Sequence, residues 1–278
     1  MDAGVSKRRP VEGYLLALSM WAFAIVAIVV GARHWLPPLA SEHGAGIDRM
    51  LNYTLATTGA FFVVGHIVLG YFVWRFGGQK RVSHRLASAR TERRWTLVVV
   101  IVMAFVAEGG VMVLGLPVWG KLYGATPPDA VMVELTGEQF AWNVRYPGKD
   151  GKFGRTNPKL IIDENPLGID KNDPAAADDS FGLGRMVVPV NRPVHIRLRS
   201  KDTLHSFFLP NLRLKQDAVP GMTLDFWLRP TKLGEFEIAC SQLCGFGHFG
   251  MRGLFQVVTQ QEFDKWLSEQ PTFAQNGQ

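Results

Sequence analysis

Cysteine is scarce in this chain, and the two cysteines that occur lie close together. Cys240 and Cys244 are the only ones among 278 residues. The segment Cys-x-x-Cys-His does not occur anywhere in the sequence, which excludes a covalently attached c-type heme. A single disulfide between the two cysteines is the simplest use of such a pair in an exported domain.

An excess of basic residues is missing from the second half of the chain. Residues 120–278 contain 18 Lys and Arg and 18 Asp and Glu, whereas residues 1–119 contain 12 and 6 and therefore carry the whole net charge of +6. The basic excess flanks apolar segments, as membrane topology requires. The high isoelectric point therefore gives no support to nucleic-acid binding.

Three long apolar runs predict three transmembrane helices, because about 20 helical residues cross a hydrocarbon core of ~30 Å. Basic residues precede the first run and fill the loop between the second and third, but few lie between the first and second. The positive-inside rule then places the N-terminus in the cytoplasm and the part after residue 119 outside. A signal peptide cleaved near Ala32 is an alternative, but the first run is longer than a usual signal core, so we predict a retained helix. The runs lie near residues 13–35, 50–76 and 95–119.

Three titratable residues lie in or beside these runs. Glu92 precedes the third run, where a carboxylate complements the helix dipole. Glu108 lies within the third run, where charge is costly and normally has a partner, so we expect a hydrogen bond or ion pair with another subunit. For His66 we expect an interhelical hydrogen bond.

The part after residue 131 has short apolar segments separated by Gly and Pro, a pattern typical of an antiparallel β-sandwich. Residues 147–184 form an insertion with 7 acidic and 5 basic residues, which predicts a surface loop without regular structure. Its acidic end is either simply solvated or steers a basic partner. The residues of this acidic end are Asp170, Asp173, Asp178 and Asp179.

Helical spacing of Phe263, Trp266 and Leu267 predicts a short helix over residues 260–269.

The segment from Cys240 to Met251 carries the strongest chemical signal, because it holds two thiols, an imidazole and a thioether in twelve residues. Soft sulfur ligands combined with imidazole favour copper, and Met is a poor ligand for zinc. Cys244, His248 and Met251 alone suit a single-copper electron-transfer site. Cys240 adds a second thiolate, and two bridging thiolates can hold two coppers. A disulfide has no use for His and Met at these offsets, nor for glycines that let the backbone fold tightly around a small object. The glycines are Gly245, Gly247 and Gly250.

A copper site of this kind needs one more imidazole from upstream. His195 alternates with Val194 and Ile196, so period-2 geometry puts it on the polar face of a strand. His205 opens an apolar segment and can point into a dry pocket beside a neighbouring loop. We therefore favour His205 as the upstream ligand.

The stretch from His205 to Gly221, together with the cysteine loop, resembles subunit II of the heme-copper cytochrome c oxidases, and residues 131–267 resemble the copper domain of that family. The resemblance implies a cupredoxin fold and a binuclear copper A centre with two bridging cysteines. It also implies that Glu92 lies at the entrance of a proton path into subunit I. The implied copper ligands are His205, Cys240, Cys244, His248, Met251 and the backbone carbonyl of Gln242.

Two positions depart from the family pattern. Phe140 stands where many relatives have a tryptophan that receives the electron from cytochrome c, and Trp142 follows two residues later on the same strand face. Electron transfer is assigned to these two aromatic residues, and Trp142 is expected in the core next to the copper. Gln242 replaces a common glutamate that binds magnesium at the boundary with subunit I, which argues against magnesium there.

The sequence thus predicts a membrane region over residues 1–119 and an extracytoplasmic cupredoxin domain over residues 120–278, in a bacterial inner membrane. The predicted function is to accept electrons from an external cytochrome c and pass them to heme in subunit I, where oxygen reduction is coupled to proton pumping. Other oxidase subunits, membrane lipid and a larger respiratory supercomplex are the remaining expected partners. The alternative is a membrane-tethered copper-binding electron carrier or copper-delivery protein outside an oxidase, although a tether needs only one helix. A copper-free quinol oxidase subunit would lack the cysteines.

Overall fold

The computed structural model describes residues 11–33, 36–77 and 87–276. Three helices in this part of the chain are long and apolar enough to cross a bilayer. The second and third begin about six residues before the apolar runs. The third begins with polar residues, and the Ser88 hydroxyl before it accepts the Thr91 N–H. The helices are α1 (Val11–Arg33), α2 (Gly44–Phe76) and a continuous helix made of α3 (Ala89–Val102), a π-helical segment (Met103–Glu108) and α4 (Gly109–Leu122).

The chain forms two compact units, of which the first contains α1 and Arg49–Gly115. The second contains Pro37–Asp48 and the chain from Leu116 onward. Pro37–Asp48 lies within the range predicted as the membrane region, between two apolar runs, and its contacts are with the β domain. Its hydrogen bonds run from Ala40 N–H to Asn211 O (2.8 Å), from Glu42 N–H to Arg229 O (3.0 Å) and from Arg213 Nε to Asp48 Oδ1 (2.7 Å).

Helices α1 and α2 approach closely where a glycine leaves room. A Cβ at Gly70 would lie 2.8 Å from a ring carbon of Trp21, so a larger residue would push α1 away. The ring of His66 packs against Phe23 of α1, with the centroids 6.0 Å apart. Its Nδ1 lies 2.8 Å from the carbonyl oxygen of Phe62 in the same helix. This contact uses the carbonyl one turn back in α2, and an interhelical hydrogen bond from Nε2 stays a prediction.

The second unit is a β-sandwich of two five-stranded sheets. Its strands are β1 (Val131–Glu138), β2 (Ala141–Tyr146), β3 (Ser180–Leu183), β4 (Arg185–Pro189), β5 (Val194–Ser200), β6 (His205–Leu209), β7 (Leu214–Ala218), β8 (Leu224–Leu228), β9 (Gly234–Cys240) and β10 (Arg252–Val258). The sheet orders are β3-β2-β1-β5-β8 and β4-β10-β9-β6-β7. The pairs β1–β5 and β4–β10 are parallel, so the prediction of a purely antiparallel sandwich is wrong for them. Both pairs join strands that are far apart in sequence, and such strands can run in parallel because a long connection returns the chain to the same end.

The core between the sheets follows the alternation seen in the sequence. Val194, Ile196 and Leu198 of β5 are fully buried. The predicted terminal helix is confirmed as α5 (Gln260–Ser268), and it begins with a capping box between Thr259 and Glu262. A short helix, α6 (Phe273–Asn276), follows it.

The insertion is more ordered than an irregular surface loop, and that prediction is wrong. It contains two 3₁₀ turns and β3, and three of its residues form a small buried apolar cluster with a phenylalanine of α6. A buried arginine of β2, Arg145, fastens it to the sandwich by contacting Asp179, Glu134 and the Gly154 carbonyl. The cluster comprises Leu167, Ile169, Ala176 and Phe273.

The acidic end of the insertion is mostly used within the chain. Asp179 is fully buried beside Arg145. Asp170 and Asp173 both contact Arg155, and Asp178 accepts a backbone N–H from residue 149 at 2.7 Å. These contacts hold the carboxylates in the loop's own structure, and a steering role for the acidic end stays a prediction.

Candidate metal centre

The cysteine loop connects two neighbouring strands of one sheet. Strand β9 ends at Cys240, a 3₁₀ turn covers His248–Gly250, and Met251 directly precedes β10. The N–H of Cys240 donates to the Met251 carbonyl at 3.2 Å, which closes the loop at its base. The Ser241 N–H donates to the Ser206 carbonyl at 2.9 Å, so the loop is also fixed to β6. These bonds bring the candidate ligands of the loop close to the start of β6, where His205 lies.

Four side chains of the loop converge on one place. The Sγ atom of Cys244 lies 3.8 Å from Cys240 Sγ, 3.6 Å from His248 Nδ1 and 3.7 Å from Met251 Sδ. The backbone carbonyl oxygen of Gln242 lies 3.2 Å from Cys240 Sγ. The spacing noted in the sequence therefore corresponds to a cluster of sulfur, nitrogen and oxygen donors in space.

His205 completes this cluster from β6. Its ligand-capable nitrogen and the two cysteine sulfurs lie within 4.8 Å of one another. The imidazole is fully buried, and its Nε2 lies 2.7 Å from Asp202 Oδ1. Its Nδ1 has no hydrogen-bond partner among the residues that the structure describes. With Nε2 protonated and donating to Asp202, Nδ1 keeps a free lone pair, which is how a carboxylate prepares a histidine for metal binding.

The two cysteines are free thiols rather than a disulfide. A separation of 3.8 Å between their sulfurs is far longer than a disulfide bond of about 2.05 Å. It is short enough for both sulfurs to bind the same ion, because two metal–sulfur bonds of about 2.3 Å span up to about 4.6 Å. The donor set of two thiols, two imidazoles and a thioether fits copper.

The site also shifts the acidity of its groups. The pKa of the Cys244 thiol is raised to about 11. Burial is the largest cause, and the hydrogen bond and the charge of Cys240 add to it. Binding of a metal therefore has to displace a proton from this thiol at neutral pH. Burial opposes ionisation of Asp202, but hydrogen bonds from His205 and from the N–H groups of Gln139 and Thr203 outweigh it and hold the pKa of Asp202 below its usual value.

Two glycines of the loop make room for Phe140. A Cβ at Gly245, whose φ of +138° itself favours glycine, would lie 2.9 Å from the ring of Phe140, and one at Gly247 would overlap that ring. Around Gly250 there is open space. The glycine next to the site is instead Gly137, where a Cβ would lie 3.0 Å from the ring of His205.

Phe140 and Trp142 have different environments. Phe140 lies in the turn before β2, over the loop between Cys244 and His248, and is 38% exposed. Trp142 is fully buried, with its ring centroid 6.1 Å from that of His205. The expectation that both lie on one strand face is wrong because Phe140 precedes the strand. The expectation that Trp142 belongs to the core is confirmed.

The remaining candidates lie elsewhere. His195 points to the outer face of β5, where its Nε2 lies 2.9 Å from Asp225 Oδ1. Glu92 lies in the first turn of α3 and is exposed. Asp202 and Gln139 were not anticipated from the sequence. The Gln139 side chain donates to the Cys244 carbonyl at 2.6 Å, and its own N–H donates to Asp202 at 2.7 Å.

The fold and the cluster together define a class of protein: a cupredoxin-like domain, attached to apolar helices, with a soft-ligand loop of the copper-binding type. The family model "Cytochrome C oxidase subunit II, periplasmic domain" matches residues 131–258. A curated relative from Bradyrhizobium diazoefficiens, "Alternative cytochrome c oxidase subunit 2", is 35% identical over 260 residues, which cover 93% of this chain and 92% of the relative. The cytochrome c oxidase subunit 2 of Cereibacter sphaeroides is 29% identical over 247 residues, which cover 84% and 78%. The crystal structure of the periplasmic domain of subunit II of cytochrome oxidase of Bradyrhizobium japonicum is 31% identical and covers 52% of this chain and 95% of its own, with a TM-score of 0.38.

The chain belongs to the cytochrome c oxidase subunit II family. Membership implies copper binding, an oxidoreductase complex with further oxidase subunits, and a membrane-anchored protein with an external domain. His205, Cys240 and Cys244 lie together and supply the soft donors that such copper binding requires.

Proposed function

We propose that this chain is the electron-accepting subunit of a respiratory cytochrome c oxidase and holds a binuclear copper A centre. The observation that carries the proposal is the pair of thiols 3.8 Å apart beside a buried imidazole nitrogen without a partner among the described residues. Two copper ions bound there would take up and release one electron at a time, with the charge shared between them. The proposed ligands are His205, Cys240, Cys244, His248, Met251 and the carbonyl oxygen of Gln242.

The chain's own residues would hold this centre rigidly. Cys240 and Cys244 would act as bridging thiolates, since their sulfurs lie 3.8 Å apart, with the Gln242 carbonyl beside Cys240 and His248 beside Cys244. Asp202 holds His205 in one tautomer, and Gln139 holds the Cys244 carbonyl. Because the ligands are fixed before the metal binds, little has to rearrange when the electron arrives or leaves.

The external donor in this proposal is a cytochrome c, which the family suggests. It is a separate protein, because the chain has no Cys-x-x-Cys-His segment for a covalent heme of its own. Phe140 would form the contact through which the electron arrives, since its half-exposed ring covers the loop between Cys244 and His248. Trp142 would act as a buried support beside His205. The electron would then pass to heme in subunit I, where oxygen is reduced and protons are pumped. The side chain of Gln242 is an uncharged amide instead of a carboxylate. The proposal therefore includes no magnesium at the boundary with subunit I.

The membrane part of the proposal follows from the three apolar helices and the flanking charges. The N-terminus and the 77–94 loop, of which residues 78–86 lie outside the described part of the chain, would face the cytoplasm, and the copper domain would face the periplasm. Glu92 would then lie at the cytoplasmic end of α3, at the entrance of a proton path into subunit I. The proposed setting is a bacterial inner membrane, with assembly into a larger respiratory supercomplex as a further possibility to be tested by co-purification.

Two matched histidine variants test the proposal. In the purified full-length protein, His205→Gln should lower the bound copper, measured by metal analysis, because it removes a ligand from the cluster. His195→Gln changes the same residue type on the outer face of β5 and should leave the copper content unchanged. Equal copper content in both variants would contradict the proposed ligand set.

A further inference from the structure

Glu108 is a carboxylate in the apolar part of the continuous helix Ala89–Leu122. The nearest basic residues of this helix are Arg94 on one side and Lys121 on the other. At 1.5 Å per residue, Glu108 lies about 21 Å along the axis from Arg94 and about 20 Å from Lys121. A hydrocarbon core about 30 Å thick between those charges places Glu108 within a few Å of the midplane. No glutamate side chain is long enough to reach either interface from there.

The contacts of α2 show which way Glu108 points. The hydroxyl of Tyr53 in α2 donates to the Val106 carbonyl, and a Cβ at Gly110 would overlap the Tyr53 ring. Val106 and Gly110 therefore face α2. Glu108 is two residues from Gly110, which lies in the α-helical part of the helix, and two residues turn an α-helix by about 200°. The carboxylate thus points away from α2.

The face that carries Glu108 is open in this chain. Glu108 is exposed, and its carboxylate makes no hydrogen bond or ion pair with any residue in the described ranges. Phe105 and Met112, which lie about one turn on either side, are 77% and 57% exposed. The π-helical segment ends at Glu108, and π-helical turns occur frequently at functional sites.

We propose that Glu108 is the contact point for a transmembrane helix of another oxidase subunit, and that this helix presents a basic side chain at the same depth. The inference rests on the proposed membrane crossing of Ala89–Leu122. Lipid at the midplane offers no hydrogen-bond donor, so an exposed carboxylate there is costly unless protein supplies one. A basic side chain fits the carboxylate of Glu108 best, because it carries the opposite charge. The family supplies such partners, since its members assemble with further subunits of an oxidase.

The test uses the whole oxidase, purified through a tag on this chain, and measures heme per chain as the amount of partner subunit retained. Glu108→Leu should lower heme per chain, because loss of one interhelical hydrogen bond of average strength weakens the association of the subunits about threefold. Met112→Leu, on the same face, conserves volume and should leave the ratio unchanged. Wild-type heme per chain and an equal or higher thermal midpoint in Glu108→Leu would show a lipid-facing glutamate and overturn the proposal.

A second experiment does not depend on the stability of the leucine variant. A photo-crosslinking amino acid at position 108 should attach to a membrane segment of another subunit that carries Lys, Arg or His. Crosslinks to lipid alone would refute the contact. Copper content of the same samples separates this inference from the proposed function, because loss of the helix contact should leave the copper of the outer domain in place.

Discussion

Replacing Gly247 by alanine tests whether the loop glycines serve Phe140. The backbone of Gly247 has φ −88° and ψ 7°, which alanine can adopt, so the effect comes from space alone. The new Cβ would lie 2.5 Å from a ring carbon of Phe140, whereas carbon atoms in contact normally lie about 3.5–4.0 Å apart. The ring must therefore move by about 1 Å, and overpacking of this kind costs about 1–3 kcal/mol.

The assay is chemical denaturation of the outer domain in the purified full-length protein. Unfolding is monitored by tryptophan fluorescence. Gly250→Ala is the matched control, because a Cβ there meets open space and should change the free energy of unfolding by less than about 1 kcal/mol. Combining Gly247→Ala with Phe140→Ala should remove most of the cost, since the clashing ring is gone. Equal effects of the two glycine variants, or no relief in the double variant, would refute the reasoning.

Three further predictions concern the site and the sandwich. Asp202→Ala should weaken copper retention by about tenfold or more, measured by competition with a chelator, whereas Asp225→Ala, which removes the partner of the surface histidine, should not. Arg145→Met leaves the buried carboxylate of Asp179 without its cation, and leaves Glu134 with Arg199 at 3.7 Å. It should lower the free energy of unfolding by about 3–5 kcal/mol, while the same change at the exposed Arg155 should cost less than about 1 kcal/mol. Hydrogen bonds from the Thr259 N–H and hydroxyl hold the pKa of Glu262 below its ordinary value of 4.5. Its stabilising contribution is therefore present above pH 4.5 and lost as the pH falls through the lowered value, so Glu262→Gln should reduce the loss of stability on acidification.

Much of the candidate site could be predicted because its ligands lie close in sequence. A loop between two strands brings Cys240, Cys244, His248 and Met251 together whatever the rest of the fold does, and soft donors limit the metals that fit. The alternation of β5 and the helical spacing of α5 were readable for the same reason: each pattern is local. His205 was found by eliminating His195, whose alternation places it outside.

The rest of the structure depends on contacts between distant segments. Strand β6 has no polar alternation because both of its faces are largely buried, and β7 is held mainly by pairing with β6. The insertion became ordered because Arg145, distant in sequence from Asp179, is buried against it. Asp202 and Gln139 look like ordinary polar turn residues, and only the fold brings them to the metal cluster.

The most direct test of the account is the electron paramagnetic resonance spectrum and copper count of the purified full-length protein. The account predicts two coppers per chain that share one unpaired electron, and loss of this signal in Cys240→Ser. A single-nucleus copper spectrum, or no copper with a Cys240–Cys244 disulfide, would contradict the binuclear centre and favour a tethered carrier outside an oxidase.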